Sequence, residues 1–260
     1  MHWVCRDQLR QQVCCGTFLN LGSASSVEIT AAIGFDWLLI DLEHGCGSLA
    51  DLRTQLMAVI SGGREGSAPA PIVRIPSVDA DIVKFVMDSG AAGIMFPYVS
   101  TTEDAAAAVS AMKYPPMGLR GVAGNIRATD FGTNWKTYFE TANDRSLVVV
   151  QIETPEAVEN ADQIAAIDGV DVLFVGPLDL SVNLQCPNDF TTPVMIDSLQ
   201  RVVDSCERHG KTAGILSRPQ LVDSHCRMGF RFVALGSDVG AIQSGMTQNL
   251  NLLRSASGRE

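Results

Sequence analysis

Residues 147–181 read LVVVQIETPEAVENADQIAAIDGVDVLFVGPLDLS. The stretch holds two short apolar runs, Leu147–Ile152 and Val172–Val175, rich in β-formers. Consecutive apolar residues, rather than alternating ones, are expected of strands covered on both faces, as in a parallel sheet. Between the runs, Thr154-Pro155-Glu156 is a helix start, a capping hydroxyl followed by proline at the first helical position. One strand–helix–strand unit is therefore legible in these 35 residues.

The pattern recurs along the chain. Further strands are expected at Val13–Phe18, Trp37–Asp41, Pro71–Arg74, Gly93–Phe96, Thr212–Ile215 and Phe232–Leu235, which makes eight. Helix starts at Ser26, Ser48, Asp79, Thr102 and Ser217 separate them, and Gly34, Gly90, Gly210 and Gly229 act as stops. Eight βα units in 260 residues predict a TIM (β/α)8 barrel over residues 1–260. The competing open, doubly wound sheet would normally carry GxGxxG after its first strand, where this chain has LNLGSASS. The segment Tyr114–Arg145 reads as one long irregular connection on the catalytic rim.

Composition excludes several classes. With 19 Lys+Arg against 29 Asp+Glu the formal charge is −10, unlike a nucleic-acid binder or a polybasic membrane anchor. The 7 cysteines are scattered without a CxxC pair, which predicts a reduced compartment rather than a disulfide framework or zinc knuckle. The opening MHWVCRDQLR lacks the layout of a secretory leader, and no apolar run is long enough to span a bilayer, so a cytoplasmic protein is expected.

In a barrel, chemistry gathers at the C-terminal ends of the strands. The second ends in Asp41-Leu42-Glu43-His44, a histidine flanked by carboxylates, which suits a general base or a plain polar turn. The third ends in Arg74, suited to a carboxylate or developing enolate, or to a structural ion pair. The fifth ends with Gln151 and Glu153, on one side of the strand by its period of two. The sixth ends Gly176-Pro177-Leu178-Asp179. Alone, either acid could be a helix cap. Two acids on neighbouring strands beside Gln151 make an open, all-oxygen site that favours Mg²⁺ or Mn²⁺.

Together DLEH, VRIP, YPPMGLRG, VQIET and GPLDLS resemble the HpcH/HpaI aldolases, class II metal-dependent pyruvate aldolases of the phosphoenolpyruvate/pyruvate barrel superfamily. The likeness runs from about Cys15 to Leu252. FPYVSTTEDA, RGVAGNIRATDFG and VQIETPEAVEN look most like the branch acting on 2-dehydro-3-deoxyglucarate. The resemblance implies that Glu153 and Asp179 hold the divalent ion (Mg²⁺, Mn²⁺ or Co²⁺) and that Arg74 stabilises an enolate. It also implies that His44, oriented by Asp41, handles protons and that Gln151 donates a hydrogen bond near the metal. Gly176, Pro177, Leu178 and Asp179 would frame pyruvate, while Phe18 and Leu216 would form the apolar wall. Arg120 and Arg127 are candidates for a distal carboxylate. Family members are typically hexamers, trimers of dimers, in which a C-terminal helix (here about 237–254) is swapped.

The chain departs from the family pattern at Leu178, at Ser100, in 182–188 and at Ser217-Arg218-Pro219-Gln220, on the rim that selects the aldehyde. None of its four lysines ends a core strand as a Schiff-base lysine would. Two rival readings are an acyl-CoA lyase, which would be expected to show a basic strip, and a non-catalytic barrel subunit, which would not keep His44, Arg74, Glu153 and Asp179 together.

Overall fold

The computed structural model describes residue 9, residues 11–63 and residues 68–257. Apart from Leu9, the stretch MHWVCRDQLR lies outside the described residues, as do the last three residues. Eight strands follow in order: β1 (Cys14–Leu19), β2 (Trp37–Asp41), β3 (Ala70–Arg74), β4 (Gly93–Phe96), β5 (Leu147–Ile152), β6 (Val172–Val175), β7 (Thr212–Ser217) and β8 (Phe232–Ser237). All pair in parallel, each with its sequence neighbour, and β8 returns to β1. This is the closed barrel that eight βα units predict.

The helices are α1 (Ala24–Ala31), α2 (Leu49–Gly62), α3 (Ala80–Asp88) and α4 (Thr102–Met112), then α5 (Trp135–Arg145), α6 (Pro155–Glu159), α7 (Ala161–Ala165) and α8 (Pro177–Asn183). The set ends with α9 (Pro193–Arg208), α10 (Val222–Met228) and α11 (Asp238–Ser257). Their starts obey capping chemistry. Thr101 and Asp104 form a reciprocal box at α4, Asp79 accepts two backbone N–H bonds at α3, and Thr154 accepts from Ala157 with Pro155 in the first turn of α6.

Side-chain alternation sorts the apolar residues into two cores. Leu147 and Val149 face the barrel interior with Phe18, Trp37, Leu39, Ile72, Val172, Phe174 and Phe232. Val148, Val150 and Ile152 face outward onto the helices. Trp37 fills the floor, stacked on Phe232 at 3.9 Å between centroids and edge-on to Phe174. A Cβ at residue 16 would sit 2.1 Å from the Trp37 indole, so only glycine fits there. Because the inward rows are Trp37–Leu39–Asp41, Ile72–Arg74 and Leu147–Val149–Gln151, the polar ends of β2, β3 and β5 continue the barrel's own core toward its mouth.

The segment Tyr114–Arg145 differs from its expectation. It contains a 3₁₀ turn at Arg127–Thr129 and the whole of α5. It follows a helix rather than a strand, so it sets out from the end of the barrel opposite the strand termini. Arg127 donates to the Ser89 carbonyl at 2.8 Å, at the end of α3.

Candidate active site

A cavity of about 370 Å³ opens at the C-terminal ends of the strands. Its lining includes Phe18, His44, Arg74, Gln151, Glu153, Gly176, Pro177, Leu178, Asp179 and Leu216. Three residues expected there are elsewhere. Asp41 lies beneath the lining, and Arg120 and Arg127 are outside it.

Asp41 and Arg74 are opposed in the β2–β3 register. Arg74 donates to Asp41 twice, through Nη2 at 2.7 Å and Nε at 3.0 Å, and Nε also lies 3.2 Å from Glu43. Asn20 donates to the same Asp41 carboxylate at 2.6 Å. Burial pushes Asp41 upward, but the hydrogen bonds and charge of Arg74, with the backbone N–H groups of His44 and Glu43, more than offset it and hold the carboxyl below its usual range. The expected orientation of His44 by Asp41 is therefore corrected. Asp41 grips the His44 backbone N–H at 3.2 Å, while the imidazole Nε2 lies 3.8 Å from Glu43. The reason is geometric: Asp41 points inward along β2 and both its oxygens are taken, whereas the His44 side chain turns out and is 68% exposed. Arg74 spends one edge on carboxylates and rests over the Phe18 ring at 5.4 Å, leaving Nη1 free of protein partners among the described residues.

Across the mouth, Gln151 Nε2 donates to Glu153 Oε1 at 2.6 Å. Gly176 lets the β6 turn pass close by, since a Cβ there would lie 2.1 Å from the same oxygen. Burial, then the neighbouring Asp179 charge, pushes the Glu153 carboxyl up to about 7, against a backbone N–H from Tyr98. Burial likewise raises Glu43, opposed by Arg74.

Tyr98 is a residue that sequence reasoning missed. Its N–H reaches Glu153 at 3.3 Å and its hydroxyl reaches Asp179 at 3.3 Å. It sits just past β4 with φ +50, a left-handed conformation that a tyrosine adopts at some cost. Pro97-Tyr98 after an apolar strand was the available signal, but neither the backbone angle nor the reach to β5 and α8 is written locally.

The donor set fits a divalent cation. A Glu153 carboxyl raised by burial and by the neighbouring Asp179 charge, and a buried Gln151 Oε1 with no partner among the described residues, leave charge and acceptor capacity unmet. No group of three or more His, Cys, Asp or Glu side chains is poised for a metal among the described residues.

Arg120 is corrected from substrate binder to structural residue. It is 3% exposed, pairs with Asp88 at 2.6 Å, bonds the Tyr138 hydroxyl at 3.2 Å and lies over the Tyr114 ring. It pins the chain after α4 to the end of α3.

The HpcH/HpaI aldolase/citrate lyase family model matches residues 15–244. The chain belongs to that family. It is 40% identical over 242 residues to a 5-keto-4-deoxy-D-glucarate aldolase of Salmonella gallinarum, covering 92% of this chain and 91% of the relative. A crystal structure of an HpcH/HpaI aldolase/citrate lyase family protein from Burkholderia cenocepacia superposes with a TM-score of 0.90 at 35% identity, covering 96% of this chain and 98% of that one. An HpcH/HpaI aldolase from Desulfitobacterium hafniense gives 0.88 at 28% identity, with 97% of each chain covered. This HpcH/HpaI protein is thus an aldolase, a carbon–carbon lyase. No helix among the described residues is long and apolar enough to cross a membrane.

Proposed function

We propose that the protein cleaves a 4-hydroxy-2-oxo acid of the 2-dehydro-3-deoxyglucarate kind to pyruvate and an aldehyde, with Mg²⁺ or Mn²⁺ held by Glu153 and Asp179. The observation that carries this is the meeting of those two carboxylates and the free edge of Arg74 in one cavity. The name of the Salmonella relative agrees in chemistry: a 4-deoxy-5-keto aldarate, numbered from its other end, is a 2-oxo-3-deoxy-4-hydroxy acid.

Cleavage removes the proton from the C4 hydroxyl and breaks the C3–C4 bond. The electron pair passes to the C2 carbonyl oxygen as an enolate, and a proton then returns to C3. The ion, when bound, supplies Lewis-acid polarisation of the keto oxygen, an effect of several kcal/mol. Arg74 Nη1 donates to that same oxygen, pre-aimed because Asp41 and Glu43 fix the other edge of the guanidinium. His44, exposed at the mouth with Glu43 beside it, takes and returns protons. Gln151 orients Glu153, and Phe18 and Leu216 keep the pyruvate end apolar. The N–H groups of Leu178 and Asp179 receive the pyruvate carboxylate.

Assembly belongs to the same proposal. Helix α11 presents Val239, Ile242, Met246, Leu250 and Leu253 to solvent, a stripe at helical spacing that a hexamer with a swapped C-terminal helix would bury. Light scattering on the purified protein tests this, and a monomer refutes it.

Coupled detection of pyruvate from 2-dehydro-3-deoxyglucarate, with Mg²⁺ and then with EDTA, tests the activity. Metal-dependent pyruvate is expected. No pyruvate, but metal-dependent decarboxylation of oxaloacetate, would keep the site and refute the substrate.

A further inference from the structure

The buried pair Ser217–His225 takes no part in the chemistry above. Ser217 ends β7 and lines the cavity. Its hydroxyl lies 2.8 Å from Nδ1 of His225, which is 5% exposed on α10 with its ring against Phe230. Burial holds His225 below its usual range, so the imidazole is neutral near pH 7. A neutral imidazole offers Nδ1 either as acceptor or as N–H donor. In the first case Ser217 keeps its lone pairs for the cavity, and in the second its O–H, which otherwise has only the Arg218 carbonyl at 3.5 Å. A sugar hydroxyl, being both donor and acceptor, satisfies either.

The next residue carries charge. Arg218 also lines the cavity, with its guanidinium over the Phe190 ring at 4.2 Å and Nη2 on Asn188 Oδ1 at 2.9 Å. Asn188 is itself held, through its N–H, by Ser181 of α8 at 3.1 Å. Both of these partners of Arg218 are neutral, and no carboxylate among the described residues pairs with it. Arg74, the other arginine of the cavity, is committed to Asp41 and Glu43. In a protein of net charge −10, an oriented and unneutralised arginine at the mouth is the local reversal of sign that an anionic substrate end requires.

We propose that Ser217, held by His225, and Arg218, held by Asn188 and Phe190, form the subsite for the aldehyde half of the substrate, Ser217 meeting a hydroxyl and Arg218 a terminal carboxylate. This rests on the aldolase reading above. It replaces Arg120 and Arg127 in the recognition of the distal end. His225 is a positioning residue, acting only through Ser217.

The test compares cleavage of 2-dehydro-3-deoxyglucarate with that of 2-dehydro-3-deoxygluconate, which ends in an alcohol, using the full-length enzyme with Mg²⁺. Wild type should prefer the carboxylate-ended substrate in kcat/KM, and Arg218→Met should cut that preference at least tenfold, the scale of a charge-assisted hydrogen bond. Equal losses on both substrates, or none, overturn the assignment. Ser217→Ala should lower kcat/KM about tenfold on both. His225→Leu should match it, while His225→Asn, whose amide can hold the Ser217 hydroxyl, should recover most of the loss at an unchanged melting temperature. Failure of Asn to rescue overturns the positioning role. Exchange of the pyruvate methyl protons in D₂O by the wild-type enzyme separates the two levels. Exchange without a carboxylate preference sinks only the subsite, whereas no exchange sinks the aldolase reading and the subsite with it.

Discussion

Replacing Glu153 by Gln should make the metal-free protein more stable at pH 8 while abolishing its response to divalent ions. The rise of the Glu153 carboxyl from 4.5 to about 7 corresponds, at about 1.4 kcal/mol per unit, to roughly 3 kcal/mol of unfavourable ionisation. The sign follows from linkage. The folded state holds this proton more tightly than the unfolded chain, so the stability is fully present below 4.5 and is lost as pH rises through about 7. A glutamine keeps the shape and the bond from Gln151 without the charge, but it must give up the Tyr98 N–H bond, at about 1 kcal/mol. The net gain at pH 8 is roughly 2 kcal/mol, or about 4–8 °C in melting temperature for a chain of this size. Thermal melts in EDTA at fixed protein concentration, run from pH 5 to pH 8, read this directly. The wild-type melting point should fall across that window relative to the variant. Excess Mn²⁺ should then raise the wild type by mass action, about 2.7 kcal/mol at 100 times Kd, and leave the variant unmoved. A variant less stable than wild type at pH 8 in EDTA, or a difference independent of pH, would refute the claim that Asp179 and burial strain this carboxylate.

Arg74→Lys keeps a cation beside Asp41 but loses the fork, so turnover should fall about 10²- to 10³-fold while the Mn²⁺-induced rise in melting temperature persists; retained turnover would remove Arg74 from enolate stabilisation. His44→Ala should slow cleavage about 10²- to 10⁴-fold with pyruvate still binding by calorimetry, and loss of Mn²⁺ binding would instead make His44 a ligand. Arg120→Leu should cost about 3 kcal/mol in urea unfolding by stranding Asp88, with no change in the ratio of charged to uncharged substrate turnover; a changed ratio would return Arg120 to the substrate.

Much of this protein is legible residue by residue. Strands β2, β4, β5 and β6 follow from apolar runs bounded by polar turns, because a strand buried on both faces must be apolar throughout. The inward direction of Gln151 follows from the period of two along β5, and Glu153 continues it into the cavity. Helix α5 was not legible. Its residues WKTYFETANDR are mostly polar, and only Tyr138 and Ala142, four apart, are buried to anchor it. The partner of a given side chain was also hidden. DLEH placed a histidine beside two carboxylates, yet the β2–β3 register gives Asp41 to Arg74 and leaves His44 to Glu43. The sequence offers Arg120 to a distal substrate carboxylate, yet Asp88, 32 residues earlier, pairs with it.

By itself the sequence determined the eight βα units, the strand ends at which chemistry collects and the residue types available there, because periodicity and capping act over a few residues. Only the tertiary structure decided which charges neutralise one another: Arg74 bound to Asp41, Arg120 spent on Asp88, Tyr98 bridging Glu153 and Asp179, and Arg218 left facing the cavity. Those pairings join residues on different strands and helices, and closure of the barrel, rather than any local preference, brings them within hydrogen-bonding distance.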